Sequence, residues 1–166
     1  MKRNGSVLNG NKSKVSSRNE VKCMSLYEYA LKIAKEYYEQ KVYEHALRVA
    51  GFVAQNDLID EAKKDFCIVL AIMHDLCEDT EYKYQKYFDE YYKKSVEQRF
   101  KKALAIITKD DKVDYLDYIK NIKNHAKDYP EVYWVKIADM RDHLEQTDTL
   151  TDKLKEKYLA ALPYLL

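Results

Sequence analysis

The scarcity of glycine and proline is the feature that most limits what this chain can fold into. It holds only 3 Gly and 2 Pro among 166 residues, about 3%, against roughly 12% in average proteins. Barrels, sandwiches and doubly wound sheets spend both residues on turns and tight junctions, whereas helices need few of them. The three glycines (Gly5, Gly10 and Gly51) also form no phosphate-binding loop motif. We therefore predict an all-α, single-domain helical bundle.

The chain divides into a short tail and one domain. Residues 1–23 are rich in Asn, Ser and Lys and show no apolar period, so we predict a disordered N-terminal tail. The rest, 24–166, follows the i, i+3, i+4 spacing of amphipathic helices. The first helix is expected to begin after Ser25, a plausible N-cap. Further helices are predicted at about 42–55, 59–79, 81–93, 95–109, 113–126, 131–146 and 150–165, with 59–79 at the centre.

Charge and cysteine content indicate the compartment and the partners. Lys and Arg number 29 against 28 Asp and Glu, a net charge of +1, so no overall field attracts nucleic acid or a membrane. The 16 tyrosines could stack on bases, but rings covering the edges of the core explain them better. No apolar run reaches the roughly 20 residues of a membrane span. Three cysteines without a CxxC pair suit reduced thiols, and we predict a cytoplasmic protein.

The segment 70-LAIMHDLCEDT-80 concentrates ionisable groups in the most apolar part of the sequence. On a continuous helix, His74, Asp75, Glu78 and Asp79 share an arc of about 140°. An imidazole beside a carboxylate offers nitrogen and oxygen ligands for a divalent metal, and two further carboxylates could move protons. The alternative is a polar helix end that is frayed into solvent.

Two other positions extend this pattern. Asp139 lies on the apolar face of 134-WVKIADMRDHL-144, and a buried carboxylate there needs a lysine, an arginine or a metal as its partner. His45 begins another apolar helix face, where a lone histidine is more often a structural group than a ligand. Together the residues follow the order H…HD…D on three separate helices.

That order resembles the HD-domain phosphohydrolases over about residues 25–166. Within that superfamily, 74-HDLCEDT-80 is similar to the HDxxEDT motif of the RelA/SpoT-type guanosine (penta/tetra)phosphate hydrolases. Residues 45–50, HALRVA, are similar to that family's HPxxVA motif, and residues 136–139, KIAD, to its KLAD motif. Because 166 residues leave no space for a separate synthetase domain, we expect the chain to resemble the small members that carry the hydrolase alone.

The resemblance implies the site and its cofactor. One divalent ion is expected, Mn²⁺ first, although the ligand chemistry also allows Mg²⁺, Fe²⁺, Zn²⁺ or Co²⁺. The implied metal ligands are His45, His74, Asp75 and Asp139. The implied catalytic residues, which would position water or donate a proton, are Glu78 and Asp79. The candidate substrate contacts are Lys41, Arg48, Lys136, Arg141 and His143. Each has a solvated surface role as its alternative except Lys136, which matches a position in the family motif. For His143 an extra metal contact is a further alternative.

The implied activity is removal of pyrophosphate from the 3′ position of a guanosine 3′,5′-bis(diphosphate)-like alarmone, so the expected partner is a small nucleotide. Three departures concern the substrate. Residues 39–44 lack the Arg, Gly and Pro of the family's nucleotide loop, His143 replaces its Asn, and Ala46 replaces its Pro. Two alternatives therefore stay open: an HD-domain hydrolase of another nucleotide, and a non-catalytic module that senses a nucleotide.

Overall fold

The computed structural model describes residues 25–82 and 94–166, which contain helices and no strand. The all-α class is therefore confirmed for the described part of the chain. The predicted tail 1–23 lies outside it, as does the helix predicted at 81–93 apart from its first two residues, which are not helical. The helices are α1 (Leu26–Tyr37), α2 (Gln40–Ala54), α3 (Glu61–Met73), α4 (Leu76–Asp79), α5 (Lys94–Ile107), α6 (Tyr115–His125), α7 (Pro130–Glu145) and α8 (Asp152–Leu165).

Side-chain caps explain where several helices begin. Ser25 and Glu28 form a capping box, in which each side chain accepts a hydrogen bond from the other residue's backbone N–H, at 3.2 and 2.8 Å. The carboxylates of Asp60 and Asp114 accept from backbone N–H groups in the first turns of α3 and α6. Thr151 does the same for α8. The N-cap predicted at Ser25 is thus confirmed.

Helix α3 is the centre of the bundle and packs against α1, α2 and α7. Its run from Val69 to Met73 is no more than 2% exposed at any position, which confirms the expectation of a central buried helix. Helices α2 and α7 also pack against each other, and α6 and α8 form a pair beside α7. The three helices that carry the histidine and aspartate motifs therefore meet in the core. No helix of the described residues has the length and apolar character to cross a membrane.

The prediction of one continuous helix over 59–79 is wrong. The helix breaks at His74 and Asp75, and the short α4 begins at Leu76. In an unbroken helix the carbonyl of Ala71 would accept from the N–H of Asp75, but here it lies 2.8 Å from the Nδ1 atom of His74. This side-chain bond competes with the helical one. The break lets the imidazole and the following carboxylate turn toward the same side of the bundle.

Candidate metal centre

Three residues from different helices bring ligand atoms together in the core. His45 lies on α2, His74 follows α3, and Asp139 lies on α7. One ligand atom from each of the three is within 4.8 Å of the other two. The residues are 8%, 3% and 3% exposed, respectively. A cluster of imidazoles and a carboxylate at this spacing could hold a metal ion.

The hydrogen bonds of the two imidazoles direct their other nitrogens at this cluster. His74 Nδ1 lies 2.8 Å from the Ala71 carbonyl and His45 Nδ1 lies 2.7 Å from Asp142 Oδ2. A carbonyl and a carboxylate can only accept, so each Nδ1 carries a proton and donates it. Within the described residues, both Nε2 atoms are buried and make no hydrogen bond of acceptable geometry. Two buried imidazole nitrogens whose partner nitrogens are fixed in this way fit the donor set of a metal site.

The spacing of the donor atoms suits a divalent ion. His45 Nε2 is 3.2 Å and His74 Nε2 is 3.7 Å from Asp139 Oδ1. The Asp75 carboxylate adds its Oδ1 at 3.1 Å from His74 Nε2 and its Oδ2 at 3.6 Å from His45 Nε2. Neighbouring ligands on bonds of about 2.1 Å lie roughly 3.0–3.5 Å apart. The residues present therefore fit such an ion, and mixed nitrogen and oxygen ligands leave its identity open.

Lys136 forms an ion pair with the second carboxylate oxygen of Asp139. Its Nζ donates to Asp139 Oδ2 at 2.6 Å, and both side chains are buried. Burial raises the pKa of Asp139, but the charge of Lys136 and the neighbouring imidazoles outweigh it and hold that pKa well below its usual range. Conversely, the carboxylate overcomes burial and raises the pKa of Lys136. The lysine thus supplies the cation that Asp139 requires, while Oδ1 remains directed at the histidines.

The nearby carboxylates favour protonated imidazoles in the metal-free protein. Burial lowers the pKa of His74, but the charge of Asp75 and the closeness of Asp139 outweigh it and raise that pKa to about 9. For His45, too, burial lowers the pKa, and Asp139 and Asp142 more than reverse the effect. A metal ion must replace the protons on Nε2. Its binding is therefore coupled to proton release.

A pocket of about 190 Å³ opens beside this cluster, lined in part by Asp75, Glu78, Asp79 and Lys109. The four ionisable residues of 74–79 therefore share one pocket despite the break in the helix. Glu78 accepts from the backbone N–H of Lys109 at 3.1 Å. Burial raises the pKa of both Glu78 and Asp79, and the charge of Asp75 raises them further. A carboxyl group whose pKa is raised keeps its proton to a higher pH than an ordinary carboxyl group, which favours a role as a general acid.

Three lysines also line this pocket. Lys109 follows α5 and Lys157 lies on α8, and both line the pocket together with Lys136. Lys157 Nζ sits 4.1 Å from the centre of the Tyr115 ring. Burial and the positive charges of Lys136 and Lys109 lower the pKa of Lys157. Sequence reasoning missed Lys109, Lys157 and Tyr115 because they lie outside the motifs and look like ordinary surface residues of amphipathic helices.

His143 is the predicted substrate contact that the structure brings to the pocket together with Lys136. Its Nε2 lies 3.2 Å from Asp139 Oδ1, and its ring stacks on Tyr158 with centroids 5.2 Å apart. The side chain is 40% exposed, so one edge remains open to a ligand. The structure therefore places His143 at the pocket, beside Asp139, and its role there stays a prediction.

The structure does not bring the other three candidate contacts to the pocket. The Arg48 guanidinium donates to both oxygens of Asp142, at 2.8 and 3.0 Å. Arg141 is paired with Glu145 at 2.7 Å, and Lys41 is exposed in the first turn of α2. None of these three cations lines the pocket. Asp142, which engages both Arg48 and His45, carried no signal in the sequence beyond its nearness to Asp139.

A larger cavity of about 780 Å³ lies between α1, α2 and α3. Its walls are mainly apolar and include Leu47, Phe66 and Val69. Such a surface offers little to hold a phosphate or to activate water. The smaller, polar pocket is therefore the better candidate site on chemical grounds.

Comparison with known proteins agrees with this geometry. Residues 42–158 match the family model of the HD domain, and this range includes every residue of the cluster. No curated protein matches the chain.

Proposed function

This chain belongs to the HD domain family, whose members are metal-dependent phosphohydrolases, and we propose that it hydrolyses a guanosine 3′,5′-bis(diphosphate)-like alarmone, releasing pyrophosphate from the 3′ position. The substrate proposal rests on the similarity of 74-HDLCEDT-80 to the motif of the RelA/SpoT-type hydrolases. The same proposal makes a small nucleotide the partner and Mn²⁺ the preferred ion. The proposed cellular location of the protein is the cytoplasm.

One observation carries the metal-dependent part of the proposal. The Nε2 atoms of His45 and His74 are buried, lack a hydrogen-bond partner among the described residues, and face one oxygen of Asp139. His45, His74 and Asp139 would hold the ion, with Asp75 beside them. When bound, a divalent ion neutralises phosphoryl charge and lowers the pKa of its water.

Glu78 and Asp79 are the proposed acid–base groups. Both line the pocket next to Asp75, and burial raises the pKa of each. Because the backbone N–H of Lys109 donates to Glu78, this carboxylate is held in one orientation. Glu78 would orient the attacking water and accept its proton, and Asp79 would donate a proton to the leaving oxygen.

The lysines of the pocket would hold the phosphates. Lys136 already neutralises Asp139, whereas no carboxylate pairs with Lys109 or Lys157 among the described residues. Such cations are available for charge-assisted hydrogen bonds to phosphate oxygens. His143, stacked on Tyr158 at the pocket wall, would contact the nucleoside part.

Hydrolysis of a different nucleotide is the second candidate. It is favoured by residues 39–44, which lack Arg, Gly and Pro, and by the engagement of Arg48 with Asp142. Residues 39–44 therefore do not form the basic nucleotide loop of the alarmone hydrolases, and Arg48 does not replace it. The third candidate is a non-catalytic module that senses a nucleotide. Such a module would bind the nucleotide without hydrolysing it.

The deciding experiment is product analysis. Purified protein with Mn²⁺ is incubated separately with ppGpp, GTP and deoxynucleoside triphosphates, and the products are resolved by ion-exchange chromatography. Conversion of ppGpp to GDP and pyrophosphate, faster than any other substrate, supports the alarmone proposal. Faster hydrolysis of another nucleotide would overturn the alarmone proposal and support the second candidate. Tight metal and nucleotide binding with no turnover of any substrate would leave the sensing module.

A further inference from the structure

Asp142 is a buried carboxylate that the proposed chemistry does not use. It is fully buried on α7, with 0% exposure. Its Oδ2 accepts from His45 Nδ1 at 2.7 Å, and its two oxygens accept from the Arg48 guanidinium at 2.8 and 3.0 Å. Asp142 therefore joins a proposed metal ligand on α2 to a cation of the same helix.

We propose that Asp142 is a positioning residue, held by Arg48, which fixes the orientation and tautomer of the His45 imidazole toward the metal. This inference rests on the proposed metal-dependent function. An ionised carboxylate can only accept, so it holds the proton on Nδ1 and leaves Nε2 free to bind a cation. A carboxylate behind a metal-binding histidine also makes the imidazole a stronger ligand.

Arg48 completes the arrangement. A carboxylate at 0% exposure requires a compensating charge. The bidentate guanidinium supplies that charge and also fixes the plane of the Asp142 side chain. Arg48 lies on α2, three residues after His45, so the ligand and the anchor of its partner belong to the same rigid helix.

The alternative is a structural ion pair that merely fastens α2 to α7. The chain contains a matched example of such a pair. Glu131, also on α7 and 2% exposed, is paired with Arg99 at 2.8 Å. The Arg48 and Arg99 side chains are similarly exposed, at 40% and 43%. Glu131 precedes Asp142 by about 16 Å along the helix and has no bond to an imidazole among the described residues.

The test compares metal affinity in matched variants. Metal-free Asp142→Asn, Glu131→Gln and the unaltered protein are titrated with Mn²⁺ by calorimetry, and their metal-free melting temperatures are measured. We expect Asp142→Asn to bind Mn²⁺ 10- to 100-fold more weakly, as for other partners of metal-binding histidines, and Glu131→Gln to stay within twofold. With Co²⁺, the visible absorption spectrum should change in Asp142→Asn alone. A purely structural pair would lower both melting temperatures and leave both affinities equal.

A second pair of variants covers the case in which Asp142→Asn does not fold. Arg48→Met and its control Arg99→Met each remove a half-exposed guanidinium. We expect a loss of threefold to tenfold in Mn²⁺ affinity for Arg48→Met and none for Arg99→Met. Unchanged affinity in every folded variant at Arg48 and Asp142 would overturn this inference alone. Failure of the unaltered protein to bind any divalent ion would overturn it together with the proposed function.

Discussion

Replacement of Asp139 by asparagine leaves Lys136 as a buried cation without its counter-ion. The two side chains are joined at 2.6 Å and are 4% and 11% exposed. The three histidines near Asp139, which are His45, His74 and His143, can lose a proton at modest cost, because the ordinary pKa of histidine is near 6.5. A lysine loses its proton at a much larger cost, because its ordinary pKa is near 10.4, so the loss of Asp139 affects Lys136 most. We expect Asp139→Asn to destabilise the metal-free protein and also to abolish metal binding.

The size of the effect follows from the surroundings of Lys136. Breaking a buried ion pair by removal of one partner costs about 3–5 kcal/mol. The rings of Tyr115 and Tyr118 lie 5.7 and 5.2 Å from Lys136 Nζ and offset part of the loss. We therefore take the lower end, about 3 kcal/mol. In a chain of this size that corresponds to a fall of roughly 6–12 °C in melting temperature.

A double variant separates the ion pair from the metal. Lys136→Met combined with Asp139→Leu removes both charges and fills the space with apolar atoms, a replacement that is often neutral or stabilising. We expect its melting temperature to recover most of the loss while metal binding stays absent. The measurements are thermal melting of metal-free protein by circular dichroism and metal content by elemental analysis.

Two results would refute this reasoning. A melting temperature of Asp139→Asn within about 2 °C of the unaltered protein would mean that Lys136 does not depend on Asp139. Undiminished metal content in that variant would remove Asp139 from the proposed ligand set. The two outcomes are independent. The melting temperature reports the ion pair of Asp139 Oδ2 with Lys136, whereas the metal content reports the role of Oδ1 as a ligand.

Three further predictions concern chemistry, substrate and pH. Glu78→Gln should retain metal and nucleotide binding while its single-turnover rate falls by about 10²–10⁴, and a rate within threefold would exclude Glu78 from the mechanism. Lys157→Met should raise KM about tenfold with little change in kcat, as expected for a phosphate contact of roughly 1.4 kcal/mol. Lys153→Met, on the same helix but outside the pocket lining, should change neither, and equal KM values for the Lys157 variant and the unaltered protein would exclude the contact. In the metal-free fold the pKa of His74 is raised from 6.5 to about 9, so the fold is stabilised by the protonated imidazole. This contribution of His74 to the free energy of unfolding is complete below pH 6.5 and is lost as pH rises through 9. Melting temperatures of metal-free protein should fall over this range, and a flat profile would contradict the raised pKa.

Part of this protein could be read from its sequence because the signals are local. The lack of Gly and Pro and the 3.6-residue period of apolar positions predict helices, since each depends on residues within a few turns of one another. Ser25 marked the start of α1 in the same way, and the structure adds Glu28 as its partner in a capping box. The order His45, His74-Asp75 and Asp139 is not a local signal, and it indicated a shared site through its resemblance to the HD-domain phosphohydrolases. A continuous helix through 59–79 was wrong because His74 bonds to the Ala71 carbonyl, a competition that periodicity does not register.

Only the tertiary structure decided which charged side chains meet. The sequence offers 29 Lys and Arg residues on helices of similar pattern, and periodicity assigns nearly all of them to a solvent face. The packing of α2 against α7 brings Asp142 to Arg48, 94 positions away, and so directs the guanidinium away from the pocket. The arrangement of α6, α7 and α8 places Lys157 over Tyr115 at the pocket instead. Helical period is set within one helix, whereas the contacts between polar side chains depend on the angle and register at which separate helices pack.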